Sequence, residues 1–164
     1  MKASKNIIGI DNGVTGTVAI LYENGISLFY QTPVINVRDY TQEVQHFNRI
    51  DWETLLHNIP ANSIAVIERP LVNSKAFVAT KSALRALEAT LIVLEIREIP
   101  YEFIDSKSWQ KEFISSAVMG KEQMKEASKS IGIDLFPQHR TKIEEHGDAD
   151  SLLLALYYKQ KLGW

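Results

Sequence analysis

The segment Ile7-Ile8-Gly9-Ile10-Asp11-Asn12-Gly13-Val14-Thr15-Gly16-Thr17-Val18-Ala19-Ile20 limits the possible folds of this chain more than any other. Its first residues form an unbroken apolar run, the pattern of a strand buried on both faces. The glycines that follow let the backbone turn sharply into a second strand antiparallel to the first. Asp11 stands at the join. A carboxylate there loses its hydration and must recover it from a cation, a proton or a dense set of hydrogen bonds. The plainer alternative is a hairpin Asp that caps its own turn. What separates the two is whether further acids converge on Asp11.

The rest of the chain reads as alternating strands and helices. Thr17–Tyr22 and Ile26–Tyr30, joined by Glu23-Asn24-Gly25, complete an antiparallel three-stranded meander with the first strand. Residues 32–48 are polar without clear periodicity and are expected to be an extended loop. Asp51 caps a helix through His57. Ile64–Ile67 is a short apolar strand closed by Glu68, and Arg69-Pro70 stops it. From Ser74 to Arg97 the pattern is helical, with Leu84, Leu87, Leu91 and Leu94 on one stripe. Tyr101–Ile104 is a further strand. Ser106 or Ser108 caps a helix through Ser116, and Lys121–Ser130 is another, with Gly132 and Pro137 ending that region. Residues 138–145 read as a polar loop and 148–161 as the last helix. The expected class is α/β: a mixed five-stranded sheet, the meander plus parallel strands, flanked by helices in one domain over 1–164.

Composition narrows the chemistry. The chain has no cysteine, so any metal must be held by oxygen or imidazole. No apolar stretch approaches the roughly 20 residues that span a bilayer. The first strand begins near Asn6, which leaves no room for a signal or transit peptide, so a cytoplasmic setting is expected. A net charge of −2 counts mildly against nucleic-acid binding. Acids neutralised by divalent metal would distort that count, so local charge weighs more than the total.

Two apolar strands therefore end in carboxylates, Asp11 and Glu68, and in open α/β sheets ligands gather at strand ends where strand order switches. A third contribution comes from Glu145-His146-Gly147-Asp148-Ala149-Asp150-Ser151. Acids in a first helical turn are favoured by the macrodipole, and Asp148 suits an N-cap. Asp150 shares a stripe with Leu153, Leu154 and Tyr157, which turns it inward. His146 shares its face if the helix extends back that far. Such a site suits Mg²⁺ or Mn²⁺. Two ions about 4 Å apart would activate water and stabilise the leaving oxygen of a phosphodiester. Asp11 is placed to bridge them, with Glu68 and Asp150 each completing one. His146 is a candidate ligand or proton carrier; Asp148 and Glu145 are weaker candidates for that position.

Taken together, Gly9-Ile10-Asp11 with its glycine-bearing turn, Glu68 closing a short strand, and His146-Gly147-Asp148-Ala149-Asp150-Ser151-Leu152-Leu153-Leu154-Ala155 resemble the RuvC family of Holliday junction resolvases, which have the RNase H-like (retroviral integrase) fold. The phage and chloroplast branch is the more similar. Thr32-Pro33 before a long loop, Lys107-Ser108-Trp109-Gln110-Lys111, and a Lys-rich helix ending at Leu135-Phe136-Pro137 also resemble that branch. The resemblance implies a dimer that cuts two opposed strands of a four-way DNA junction with Mg²⁺, and metal binding by Asp11, Glu68 and Asp150. The family's fourth acidic position falls nearest His146, leaving open whether His146, Glu145 or Asp148 fills it. Asn12 stands where a proline is usual, and Arg69-Pro70 where a glutamine is usual.

Lys121, Lys125 and Lys129 recur at four-residue spacing, and Lys107 and Lys111 flank Trp109. Such lysines are commonly a solvated stripe, but beside a nuclease site they suit phosphate contacts. Lys75, Phe77 and Lys81 follow Glu68. In the family an aromatic residue here probes the junction centre, for which Phe77 is the candidate and Leu71 the runner-up; Phe77 also fits the helical core stripe. Ala86, Ala89, Ile92 and Val93 widen the apolar stripe of the 75–97 helix, which suits a homodimer contact. Three other readings compete: a sugar kinase or chaperone ATPase, whose phosphate hairpin resembles residues 10–17 but is normally paired with a second domain; an RNase H-fold nuclease acting on RNA–DNA hybrid or flap DNA; and a non-catalytic junction-binding protein.

Overall fold

The computed structural model describes residues 6–164. The elements run β1 (Asn6–Ile10), β2 (Thr17–Leu21), β3 (Ser27–Gln31), β4 (Val34–Arg38), β5 (His46–Ile50), α1 (Trp52–Asn58), β6 (Ser63–Glu68), α2 (Phe77–Ile96), β7 (Tyr101–Ile104), α3 (Ser106–Phe113), α4 (Lys121–Leu135), α5 (Arg140–His146) and α6 (Asp150–Lys161). The main sheet has the order β3-β2-β1-β6-β7. β1, β2 and β3 form the antiparallel meander, and β6 and β7 add in parallel beside β1. This is the mixed five-stranded α/β architecture that the apolar runs imply.

Because successive side chains of a strand point to opposite faces, β1 and β6 feed two cores. Ile8, Ile10, Ala65 and Ile67 pack with Leu55 of α1 and with Ala86, Val93 and Leu94 of α2. Ile7 and Val66 pack on the other face with Trp109 of α3, Ile133 of α4, Ile143 of α5 and Leu152, Leu153 and Tyr158 of α6. Gly9 lies on that second face, and a Cβ built there would stand 2.1 Å from the Ser151 carbonyl oxygen and 2.8 Å from the Ala155 Cβ. The missing side chain is what lets α6 lie directly on β1.

Several local expectations are corrected. Residues 32–48 are mostly a ribbon: β4 and β5 pair antiparallel, Val34 with Ile50, Asn36 with Asn48 and Val37 with Phe47. Asn36 donates across the strands to Asn48 (3.0 Å), and Asp39 accepts from the Thr41 N–H and hydroxyl at the turn. Mixed polar and apolar partners, mostly exposed, replace the clean alternation that would have marked these strands. Residues 138–145 are helical as well: a 3₁₀ turn, Pro137–His139, leads into α5. This seven-residue helix buries only Ile143 on its own account, so it shows no stripe. It is held by an Arg140–Glu144 pair and by Lys142, whose Nζ donates to the Phe29 carbonyl on edge strand β3.

α4 continues past Ser130 to Leu135 with Gly132 inside it. A Cβ at Gly132 would sit 2.1 Å from the Ala149 Cβ, so this glycine serves close packing rather than helix termination. α3 ends at Phe113, and its N-cap position is Asp105 rather than Ser106 or Ser108. The Asp105 carboxylate is engaged by Arg69 Nε at 2.9 Å instead of capping. The Ser74–Arg97 region begins with a 3₁₀ turn, Ser74–Ala76, before α2. The last helix starts at Asp150, not 148, with Ala149 as its N-cap.

Candidate active site

Parallel pairing of Gly9 with Val66 and Ile10 with Ile67 brings β1 and β6 to an end side by side. The alternation that sends Ile10 and Ile67 to the α2 face sends Asp11 and Glu68 to the α6 face. The Asp11 N–H closes the hairpin on the Thr17 carbonyl (3.1 Å), and the turn is completed by the Gly16 N–H to the Gly13 carbonyl. Among the described residues, no hydrogen bond ties the Asp11 carboxylate to its own turn, so the turn-capping alternative fails. Thr17 Oγ1 donates to Ser151 Oγ (2.8 Å), fixing the start of α6 against β2. The start of α6 and the turn before it thereby bring Asp150 and Asp148 towards Asp11.

Each acid has a distinct environment. The buried Trp109 indole N–H donates to Glu68 Oε2 (2.8 Å). Ser128 Oγ of α4 donates to Asp150 Oδ1 and accepts from the Ala149 N–H at 3.1 Å. Asp148, expected as an N-cap, is buried; its Oδ1 lies 3.5 Å from His146 Nε2 and its Oδ2 3.6 Å from Lys125 Nζ. A weak 3.4 Å contact from the Asp150 N–H to Asp148 Oδ1 is what remains of capping. His146 is on a different helix from Asp150: Gly147, at φ 103, ends α5 in the left-handed conformation that favours glycine. The His146 ring packs edge-on against Phe29, centroids 6.4 Å apart.

The electrostatics follow from this crowding. Burial, followed by the charges of Asp150, Glu68 and Asp148, raises the Asp11 carboxyl well above the usual range. Burial lifts Glu68 to about 7 against the opposing Trp109 hydrogen bond, with Asp150 and Asp148 adding to the rise. Asp150 is pushed up to about 6 by burial and by Asp148. Asp148 runs the other way: burial opposes its ionisation, but His146, the Asp150 N–H and Lys125 hold it below the ordinary value. Several carboxylates that resist joint ionisation are a site in want of a cation. One ligand atom each from Asp11, His146 and Asp148 lies within 4.8 Å of the others. This set of oxygens and one imidazole suits a hard divalent ion. Glu68 and Asp150, expected as ligands beside Asp11, lie outside this set, though their charges act on Asp11.

The remaining candidates divide. Glu145 is exposed and lines a groove with Lys142 beside β3, apart from the acids. A groove of about 320 Å³ opens beside Glu68, lined by Asn12, Leu71, Asn73 and Thr80 among others. Phe77 is 67% exposed and Leu71 85%, so the core alternative for Phe77 fails. Lys81 Nζ sits 5.9 Å from the Phe77 ring centroid. Lys75, Lys107, Lys111 and Lys121 are exposed, and Lys129 pairs with Glu126 at 2.8 Å. Lys125, also expected to meet phosphate, is half-exposed with its ammonium group 3.6 Å from Asp148 Oδ2. Trp109 and Ser128, which hold Glu68 and Asp150, carry no sequence signal beyond being polar-capable residues at buried helix positions.

The fold is RNase H-like. No family model matches the sequence, and no curated protein does. Among solved structures, Thermus thermophilus RuvC in complex with a Holliday junction substrate matches with a TM-score of 0.51 and 14% identity, covering 97% of this chain and 96% of that one. A second Thermus thermophilus RuvC structure matches with a TM-score of 0.51 and 13% identity, covering 96% of each chain. Among the described residues, no helix is long and apolar enough to cross a membrane.

Proposed function

We propose that this chain is a structure-selective endodeoxyribonuclease that resolves four-way DNA junctions, hydrolysing phosphodiester bonds in two opposed strands as a homodimer. The observation that carries the reading is the convergence of Asp11, His146 and Asp148 on one possible cation position, with Asp150 and Glu68 close enough for their charges to act on Asp11. Similarity of fold to a RuvC bound to a Holliday junction supports the choice of branched DNA among nuclease substrates.

Asp11, Glu68, Asp148, Asp150 and His146 would hold one or two Mg²⁺ ions, with Mn²⁺ as a substitute of the same ligand preference. Such ions, when bound, activate water and stabilise the leaving oxygen. The chain's own residues prepare that chemistry. Trp109 holds one oxygen of Glu68 and Ser128 one oxygen of Asp150, so both acids are aimed before metal arrives. His146, fixed by Phe29 and Asp148, is placed to ligate or to take a proton. Exposed Leu71 lines the groove beside Glu68, and exposed Phe77 follows Ala76 of that lining; these two are the candidates to stack at the junction centre. Lys75, Lys81, Lys107, Lys111 and Lys121 supply phosphate contacts around it. Ala86 and Val93, which widen the apolar stripe of α2 in the sequence, are buried in the domain's own core, and Ala89 and Ile92 line the cleft beside the β4–β5 ribbon, so the dimer contact is assigned to exposed Leu84 and Ile96. The setting is the cytoplasm of a bacterial or phage-infected cell.

Cleavage of a synthetic four-way junction in Mg²⁺, beside linear duplex and RNA–DNA hybrid, tests the reading for wild type and Asp11→Asn. Wild type should cut the junction at paired positions, and Asp11→Asn should bind it without cutting. Preferential cutting of hybrid would transfer the site to another RNase H-fold activity. Cutting by Asp11→Asn at the wild-type rate would remove the metal site itself.

A further inference from the structure

We propose that the cleft between the β4–β5 ribbon and α2 seats a backbone phosphate of the DNA arm adjoining the cleavage site, with Arg49 and Arg85 as its donors. The inference rests on a nucleic-acid substrate for the acid cluster and adds a second point of contact away from it.

The cleft holds about 160 Å³ and is bounded by Val14, Tyr40, Arg49 and Arg85 over a floor that includes Ile50. That is well below the roughly 300 Å³ where small-molecule pockets begin; it suits a single phosphate group. The Arg85 guanidinium lies 3.7 Å from the Phe47 ring centroid. Stacking fixes its plane and leaves its N–H edges free to donate. Arg49 is half-buried on the same strand as Phe47. Among the described residues, neither arginine is in a salt bridge. Asp39, the acid that feels Lys81 and Arg85 at longer range, spends Oδ1 on the Thr41 N–H and hydroxyl, each at 2.8 Å. Two arginines that line one cleft with no carboxylate in its lining leave a positive site open to an anion. A phosphodiester matches them in charge and in bidentate geometry.

Position ties the cleft to the acids. Val14 belongs to the loop that follows Asp11, and Asn12 Nδ2 donates to the Ala83 carbonyl (3.0 Å), two residues before Arg85. Phe77, Lys81 and Arg85 recur every four residues along α2, leading from the Glu68 groove to the ribbon. A strand held at Glu68 therefore has a basic path to Arg49.

Binding of labelled four-way junction, linear duplex and RNA–DNA hybrid, followed by fluorescence anisotropy across a salt series with Ca²⁺ replacing Mg²⁺, tests this. The double variant Arg49→Gln/Arg85→Gln should lower the slope of log affinity against log salt by about 0.9, one phosphate contact, on every nucleic acid that wild type binds. Arg49→Lys should retain the slope. If the double variant melts early because Phe47 loses its stacking partner, Arg49→Gln alone carries the test and should still flatten the slope. Unchanged slopes in folded variants overturn the inference. Equal binding of all three substrates by wild type would sink the junction reading while the slope still decides the ribbon. No binding to any of them would sink both.

Discussion

Replacing Glu68 by Gln should make the metal-free protein more stable at neutral and alkaline pH and leave it unchanged near pH 4. The folded Glu68 carboxyl titrates at about 7 against an ordinary value of 4.5. Below pH 4.5 both folded and unfolded chains carry the proton, and the group contributes nothing. Between 4.5 and 7 the unfolded chain ionises first, so stability falls as pH rises. Above 7 the full cost stands, about 3 kcal/mol at 1.4 kcal/mol for each tenfold change in proton affinity. Gln keeps an oxygen to accept from Trp109 but has no charge to bury. In a domain of this size about 3 kcal/mol corresponds to roughly 6–12 °C in melting temperature. Thermal denaturation followed by circular dichroism in EDTA at pH 4, 6 and 8 reads the difference directly. Adding Mg²⁺ at pH 8 should reverse the order, because metal binding stabilises only the chain that keeps its ligand. Identical melting of the two proteins in EDTA at pH 8 would refute the reasoning, as would a wild type that gains on the variant between pH 5 and 8.

Three further outcomes are expected. Gly9→Ala drives a methyl into the Ser151 carbonyl; it should cost about 3 kcal/mol in urea unfolding and weaken Mg²⁺ binding, since α6 carries Asp150. Lys125→Gln removes an ammonium 3.6 Å from Asp148; at about 1 kcal/mol for a half-exposed pair, Mg²⁺ should bind roughly fivefold tighter by calorimetry, and equal or weaker binding would show that the lysine does not compete with the ion. Leu84→Glu with Ile96→Glu, both exposed on α2, should give a sedimentation mass of one chain and single nicks in place of paired cuts; a dimer that survives both would place the contact elsewhere.

The apolar runs of β1, β2 and β6 made the sheet legible, because burial on two faces leaves no other arrangement for such short segments. The carboxylates ending β1 and β6 were legible for the same reason: a charge closing an apolar strand must be answered by something. What pattern alone missed was stabilised by polar or very local means. The ribbon is joined through Asn36 and Asn48, and α5 buries only Ile143. Gly132 reads as a helix stop because a glycine that ends a helix and one that admits a neighbouring Cβ look alike in sequence. Trp109 and Ser128 were invisible as partners of Glu68 and Asp150, since each contact crosses between elements that periodicity treats separately. Lys125 shows the same limit from the other side: four-residue spacing defines a helix face but not what that face meets.

The bond between Thr17 and Ser151 joins residues 134 apart. A chain still emerging from the ribosome, with β1 and β6 already paired, has Asp11 and Glu68 in register but lacks the acids, imidazole and hydroxyl that complete the cluster. Whatever the cluster does is therefore withheld from every shorter intermediate and becomes available only when α6 lies over Gly9.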